Sequence, residues 1–106
     1  MTREHLTGHD MIQAERYRQR FEEGYTPQHD DLHFEGDLLR AAKAYIAVVE
    51  SPDRTEDIGH VIWPWDRNSF KPSDDPIRTL TKAGALIAAE IDRRLRVKWD
   101  LESKMR

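Results

Sequence analysis

Cysteine is absent from the 106 residues. This excludes a disulfide framework, a thiolate zinc site and a cysteine nucleophile, so any metal would have to sit on Asp, Glu or His. Long apolar runs are missing as well: nothing approaches the roughly 18–20 consecutive apolar residues of a membrane span. The segment Met1 to Asp10 is also too polar to read as a secretory signal peptide. Nor is there a basic excess. With 17 Lys and Arg against 20 Asp and Glu the formal charge is −3, whereas a dedicated nucleic-acid binder needs a positive surplus to neutralise phosphates. The expectation is one cytoplasmic domain over residues 1–106, too short for two independent cores, with no membrane partner and no dedicated nucleic-acid binding. Residues 1–9 and 100–106 read as frayed ends.

The small net charge conceals a gradient. Residues 1–37 hold four Lys/Arg against nine Asp/Glu, residues 38–75 hold five against seven, and residues 76–106 hold eight against four. An acidic first part and a basic last part are either complementary packing surfaces or a set of carboxylates and cations around one phosphate-bearing ligand.

Hydrophobic periodicity predicts an all-α fold, a small bundle of three main helices. Asp10 is placed to cap a first helix running to about Glu23, with Gly24 ending it in the left-handed conformation and Pro27 as a second stop. Ala14, Tyr17 and Phe21, with Met11 nearby, form its thin apolar stripe. The Asp30-Asp31 pair supplies N-cap chemistry for a second helix from about Leu32 to Glu50, closed by Pro52. Leu38, Ala41, Ala42, Tyr45, Ile46, Val48 and Val49 give it an apolar face broad enough for two neighbours. A long loop, residues 51–75, carries Trp63-Pro64-Trp65-Asp66, and loops of that length are functional or disordered. Asp75-Pro76 then marks a third helix, reaching about Lys98 or beyond, with Ile77, Leu80, Gly84, Ile87, Ile91 and Leu95 as its packing stripe. Gly84 within that stripe reads as a close helix crossing.

Four metal-capable side chains fall within His29-Asp30-Asp31-Leu32-His33, and Asp37 lies one helical turn beyond His33 on the same face. Asp30, Asp31, His33 and Asp37, completed by Glu90, would make a site for a hard cation such as Mg2+ or Mn2+. The plainer reading is that Asp30 and Asp31 cap a helix and that Glu90 is a surface ion-pair partner. Arg16 and Lys82 are the cations set apart from the basic end of the third helix, and with Gln19 they suit phosphate recognition. Trp63 and Trp65 offer faces for a base with Asp66 reading its edge, or else plug the bundle.

The segments Glu15-Arg16-x-Arg18-Gln19, Glu23-Gly24-Tyr25-Thr26-Pro27-x-His29-Asp30-Asp31-x-His33, Gly36-Asp37-Leu38, Trp63-Pro64-Trp65-Asp66, Lys71-Pro72 and Lys82-Ala83-Gly84-Ala85-Leu86-Ile87 resemble a family of small phage and prophage proteins across residues 12–95. The resemblance implies a bacterial host cell. His33-Phe34-Glu35-Gly36-Asp37-Leu38 is also similar, at superfamily level, to the first metal-binding helix of the all-α MazG-like nucleoside triphosphate pyrophosphohydrolases. There Asp37 occupies a glutamate position, His33 replaces a carboxylate, and Glu90-Ile91-Asp92 departs from the Glu-x-x-Asp spacing. The resemblance implies a nucleotide-binding protein hydrolysing a phosphoanhydride with a divalent cation, with His33, Asp37 and Lys82 catalytic and Arg16, Gln19, Trp63, Trp65 and Asp66 on the ligand. The incomplete carboxylate set implies the alternative, a non-catalytic phage protein that sequesters a signalling nucleotide or binds a host protein in anti-defence. Size and the breadth of the second helix's apolar face add the expectation of a homo-oligomer.

Overall fold

The computed structural model describes residues 5–32 and 36–105, so the His33, Phe34 and Glu35 positions lie outside the described residues. Among the described residues it is all-α, with helices α1 (Gly8–Phe21), α2 (Pro27–Asp31), α3 (Asp37–Glu50), α4 (Thr55–Ile62) and α5 (Pro76–Lys104). No helix is long and apolar enough to cross a membrane among those residues.

The helix ends follow local chemistry. Thr7, not Asp10, caps α1: its hydroxyl accepts from the Asp10 amide at 3.1 Å while Asp10 Oδ2 accepts from the Thr7 amide at 3.0 Å, a reciprocal capping box. Gly24 takes φ +78° as its position after α1 requires. Thr26 caps the short α2, and Pro27 occupies its first turn. The expected second helix, Leu32 to Glu50, instead starts at Asp37 as α3, after Gly36 at φ +92°, and Asp30 and Asp31 end the short α2 that precedes it. They do not cap the helix that follows. Asp75 caps α5 by accepting from the Ile77 amide at 3.0 Å, and that helix continues past Lys98 through Lys104.

Leu38, Ala41, Ala42, Tyr45 and Val48 of α3 meet Ala83, Leu86 and Ala89 of α5 in the core. The alanines let the two backbones approach closely. The long connection is not irregular throughout, since it contains α4 and a 3-10 turn at Arg67–Ser69. It closes the open end of the α3–α5 pair with Trp63 and Phe70, each 6% exposed, which cluster with Tyr45 at centroid separations of 5.0 to 5.3 Å. Gly59 of α4 makes this possible: a Cβ there would stand 2.5 Å from the Phe70 ring.

Two helices present the side opposite to the one their periodicity predicts. On α1, Tyr17 and Phe21 are 63% and 69% exposed, while Glu15 and Gln19 are buried. On α5 the stripe Ile77, Leu80, Ile87, Ile91 faces outward, and Thr79, Ala83, Leu86, Ala89 and Glu90 face inward. Gly84 is indeed a crossing point, because Ile12 of α1 rests on it and an added Cβ would come within 2.6 Å of Ile12 Cδ1. Periodicity reveals that a helix has an apolar side; which side meets a neighbour is settled by the competing polar contacts.

Candidate functional site

Glu15 is 1% exposed and sits where α1 crosses α5. Burial alone would raise its carboxyl pKa, yet it lies below the ordinary glutamate value because two guanidinium groups surround it. Arg18, one turn along α1, donates from Nε to Oε1 and from Nη2 to Oε2, both at 2.8 Å. Arg78 of α5 approaches Oε1 at 2.6 Å. Arg18 also reaches Glu23 Oε1 at 3.1 Å, so it bridges the helix to the turn that follows.

Gln19 lies beside this cluster and is 3% exposed. Its Nε2 donates to Glu15 Oε2 at 3.1 Å and to the Lys82 carbonyl at 3.4 Å. Both partners are acceptors, so the amide nitrogen must face them and the oxygen must face away. That oxygen has no hydrogen-bond partner among the described residues. An unsatisfied buried carbonyl costs about 1–3 kcal/mol.

Lys82 adds a third cation to the junction. Its ammonium donates to the Lys71 carbonyl at 2.6 Å and stands 5.9 Å from the centroid of the Tyr45 ring. Burial and the nearby Arg78 and Arg18 charges lower its pKa from the usual lysine value. Tyr45 is pushed up to about 12 by burial, although its hydroxyl accepts from the Lys71 amide at 3.4 Å. Burial raises Tyr25 too.

An aromatic wall adjoins these charges. Tyr25, fixed by its amide to the Gln19 carbonyl at 2.9 Å, stacks on His29 with centroids 4.8 Å apart. Trp65 leans on both, at 5.4 Å from Tyr25 and 5.8 Å from His29. Trp65 remains half-buried, whereas Trp63 belongs to the core and spends its indole N–H on the Asp66 carbonyl at 3.1 Å and on Ser69 Oγ at 3.0 Å. Asp66 does not face the wall with its carboxylate free, because Oδ1 accepts from the Asn68 amide at 3.1 Å and caps the 3-10 turn.

The remaining sequence candidates form a second charged junction, towards the end of α5. Arg16 donates to Asp92 Oδ2 at 2.7 Å and lies 3.9 Å from Asp30 Oδ2. Asp30 is 1% exposed, and burial raises its pKa against the lowering effect of His29, Arg16 and Arg96. Asp31 accepts from Arg96 at 2.7 Å. Glu90 accepts from Arg93 at 2.8 and 2.9 Å and from Arg94 at 2.6 Å; the Arg93 bond leads in holding its pKa down. Glu90 is thus an ion-pair partner, but a buried one at 3% exposure, not the surface pair its charge suggested. Asp37 lies in the first turn of α3.

Among the described residues, no three His, Asp or Glu side chains converge to hold a metal ion. The carboxylates of Asp30, Asp31 and Glu90 each face guanidinium groups. Sequence reasoning passed over Arg18 and Arg78 as functional cations, and did not place Tyr25 and His29 beside Trp65. The Arg18–Glu15 spacing of one turn was visible; the meeting of Glu15 with Arg78 was not, since they lie 63 residues apart. Comparison with protein-family models, curated proteins and solved structures gives no match.

Proposed function

We propose that the chain binds a nucleoside phosphate at the first junction. Arg18, Arg78 and Lys82 would hold the phosphates, Gln19 Oε1 would accept a hydrogen bond from the sugar or base, and Trp65, with Tyr25 and His29 behind it, would contact the base. The observation that carries this reading is the buried Gln19 oxygen with no partner among the described residues, on a side chain whose amide nitrogen joins the Glu15–Arg18–Arg78 cluster. The non-catalytic form, a phage protein that sequesters a nucleotide and releases it unchanged, has the better support. It needs no metal: a phosphate would compete with Glu15 for Arg18 and Arg78, which hold that carboxylate at 2.6 to 2.8 Å. Hydrolysis of the MazG-like kind with Mg2+ or Mn2+ would require carboxylates to leave their arginines for the metal, and His33 and Asp37 to join them.

Titration calorimetry with adenosine, guanosine, cytidine and uridine triphosphates and with cyclic dinucleotides tests binding directly. Heat with at least one of them, and recovery of that ligand intact after incubation with Mg2+, is the expected result. Pyrophosphate release would establish the hydrolase form. Absence of heat throughout the panel would leave the host-protein alternative and remove the nucleotide reading. Glu15→Gln sharpens the choice: with its charge gone, Arg18 and Arg78 are freed for phosphate, and binding strengthens. A hydrolase using Glu15 at the metal would instead lose turnover.

A further inference from the structure

The outward side of α5 follows a strict alternation of three and four residues: Ile77, Leu80, Gly84, Ile87, Ile91, Arg94, Lys98, Leu101 and Met105. That is the 3.5-residue repeat of a helix seam meeting another helix. Four of its large apolar side chains, Ile77, Leu80, Ile87 and Ile91, are between 37% and 60% exposed among the described residues. A continuous apolar row of this kind on a small domain marks an interaction surface.

We infer that α5 pairs antiparallel with α5 of a second copy of this chain. Charge selects both the occupant and the direction. Ahead of the apolar row stand the exposed Asp74 and Asp75, and behind it, on the same face, stand the exposed Arg94 and Lys98. A two-fold axis near residues 85–86 sets Leu80 against the partner's Ile91, Ile87 against the Ile12 side chain that fills the partner's Gly84 position, and Lys98 against the partner's Asp74. It also opposes the two helix dipoles head to tail. The surface is thus complementary to itself, as a closed dimer requires. Parallel pairing would instead set Arg94 on Arg94 and Lys98 on Lys98. A longer antiparallel overlap would carry Lys98 from Asp74 to the Gly84 position, with no carboxylate opposite. In the register inferred, residues 76–95 overlap over about 30 Å, and Ile12, seated on Gly84, widens the apolar strip with a second helix from each copy.

The absence of cysteine makes the test clean. Sedimentation of the unmodified chain at tens of micromolar should give a dimer. Leu80→Cys chains mixed with Ile91→Cys chains should cross-link readily under mild oxidation, while Leu80→Cys alone should not, because an antiparallel seam brings position 80 to position 91 within disulfide reach. Asp74→Lys, which leaves the Asp75 cap of α5 intact, should weaken the dimer about tenfold, and adding Lys98→Glu should restore it. A monomer, a dimer without the mixed cross-link, or preferential cross-linking of position 80 to itself overturns the inference. None of these side chains lies at the Glu15 junction, so a change in nucleotide binding is read separately from a change in assembly.

Discussion

Arg18 holds Glu15 through two parallel hydrogen bonds of 2.8 Å, and this pair, not an apolar contact, occupies the side of α1 that faces α5. A carboxylate in that position is tolerable only because Arg78 arrives from the other helix to share it. Removing one member of a fully buried pair costs about 3–5 kcal/mol by leaving a charge unpaired. Here Arg18 and Arg78 keep about a third of their side-chain surface in water, which softens the loss. Glu15→Gln should therefore destabilise the fold by about 2 kcal/mol in urea titrations at neutral pH. A loss below measurement error would show that the pair does not hold α1 on α5.

Asp30 behaves in the opposite sense to Glu15. Its pKa is raised in the folded chain, so the fold takes up a proton there more readily than the unfolded chain does. Its contribution to stability is favourable below the unfolded aspartate value and is lost as pH rises through the raised folded value. Arg16 does not depend on it, having Asp92 at 2.7 Å. Asp30→Asn should raise Tm at pH 7, and the gain should vanish below about pH 3, where the native carboxyl is protonated in both states. Thermal scans of both chains across that range decide it; a gain independent of pH would be against the cause given.

Glu15 and Glu90 carry the complementary expectation. Both are held below the ordinary glutamate value when folded, so the stability they confer is present above that value and is lost as pH falls through their lowered folded values. Acid should loosen α1 and the end of α5. Proton exchange of the backbone amides in those helices, followed from pH 6 downward, should show protection there falling before that of α3.

At Gly59 the space for a methyl group is already filled by Phe70 at 2.5 Å and by Val48 Cγ2 at 3.2 Å. Both neighbours are buried, and the ring is clamped by Tyr45 and Trp63. Gly59→Ala should cost about 1–3 kcal/mol from overpacking, despite the better helix propensity of alanine. Chemical denaturation reads this directly, with Trp63 fluorescence expected to report the displaced loop.

Gly84 offers a two-step check on the α1–α5 crossing. Alanine there meets Ile12 Cδ1 at 2.6 Å and Cγ1 at 2.9 Å, so the substitution alone should destabilise. With Ile12→Ala already present the clash disappears, and the same change should stabilise by about 0.8–1 kcal/mol, the ordinary preference of a helix for alanine over glycine. A double-mutant cycle showing additive effects would place the crossing elsewhere.

The amino-acid sequence by itself determined the all-α class, the left-handed stop at Gly24, the start of α5 at Asp75-Pro76 and the close crossing at Gly84. Each depends on chemistry within a few residues: a cap, a missing Cβ, a ring that fixes φ. It also allowed Trp63 to be read as a plug, and the structure places it in the core. The faces of α1 and α5 were decided only by the tertiary structure. Periodicity assigned Tyr17, Phe21, Ile87 and Ile91 to the interior, but Glu15 finds Arg78 and Arg16 finds Asp92 across α5. Such long-range charge pairs leave no local trace in the chain. They turn the polar side of α1 inward and leave the α5 apolar row facing outward, where a second copy of the chain provides the partner we infer.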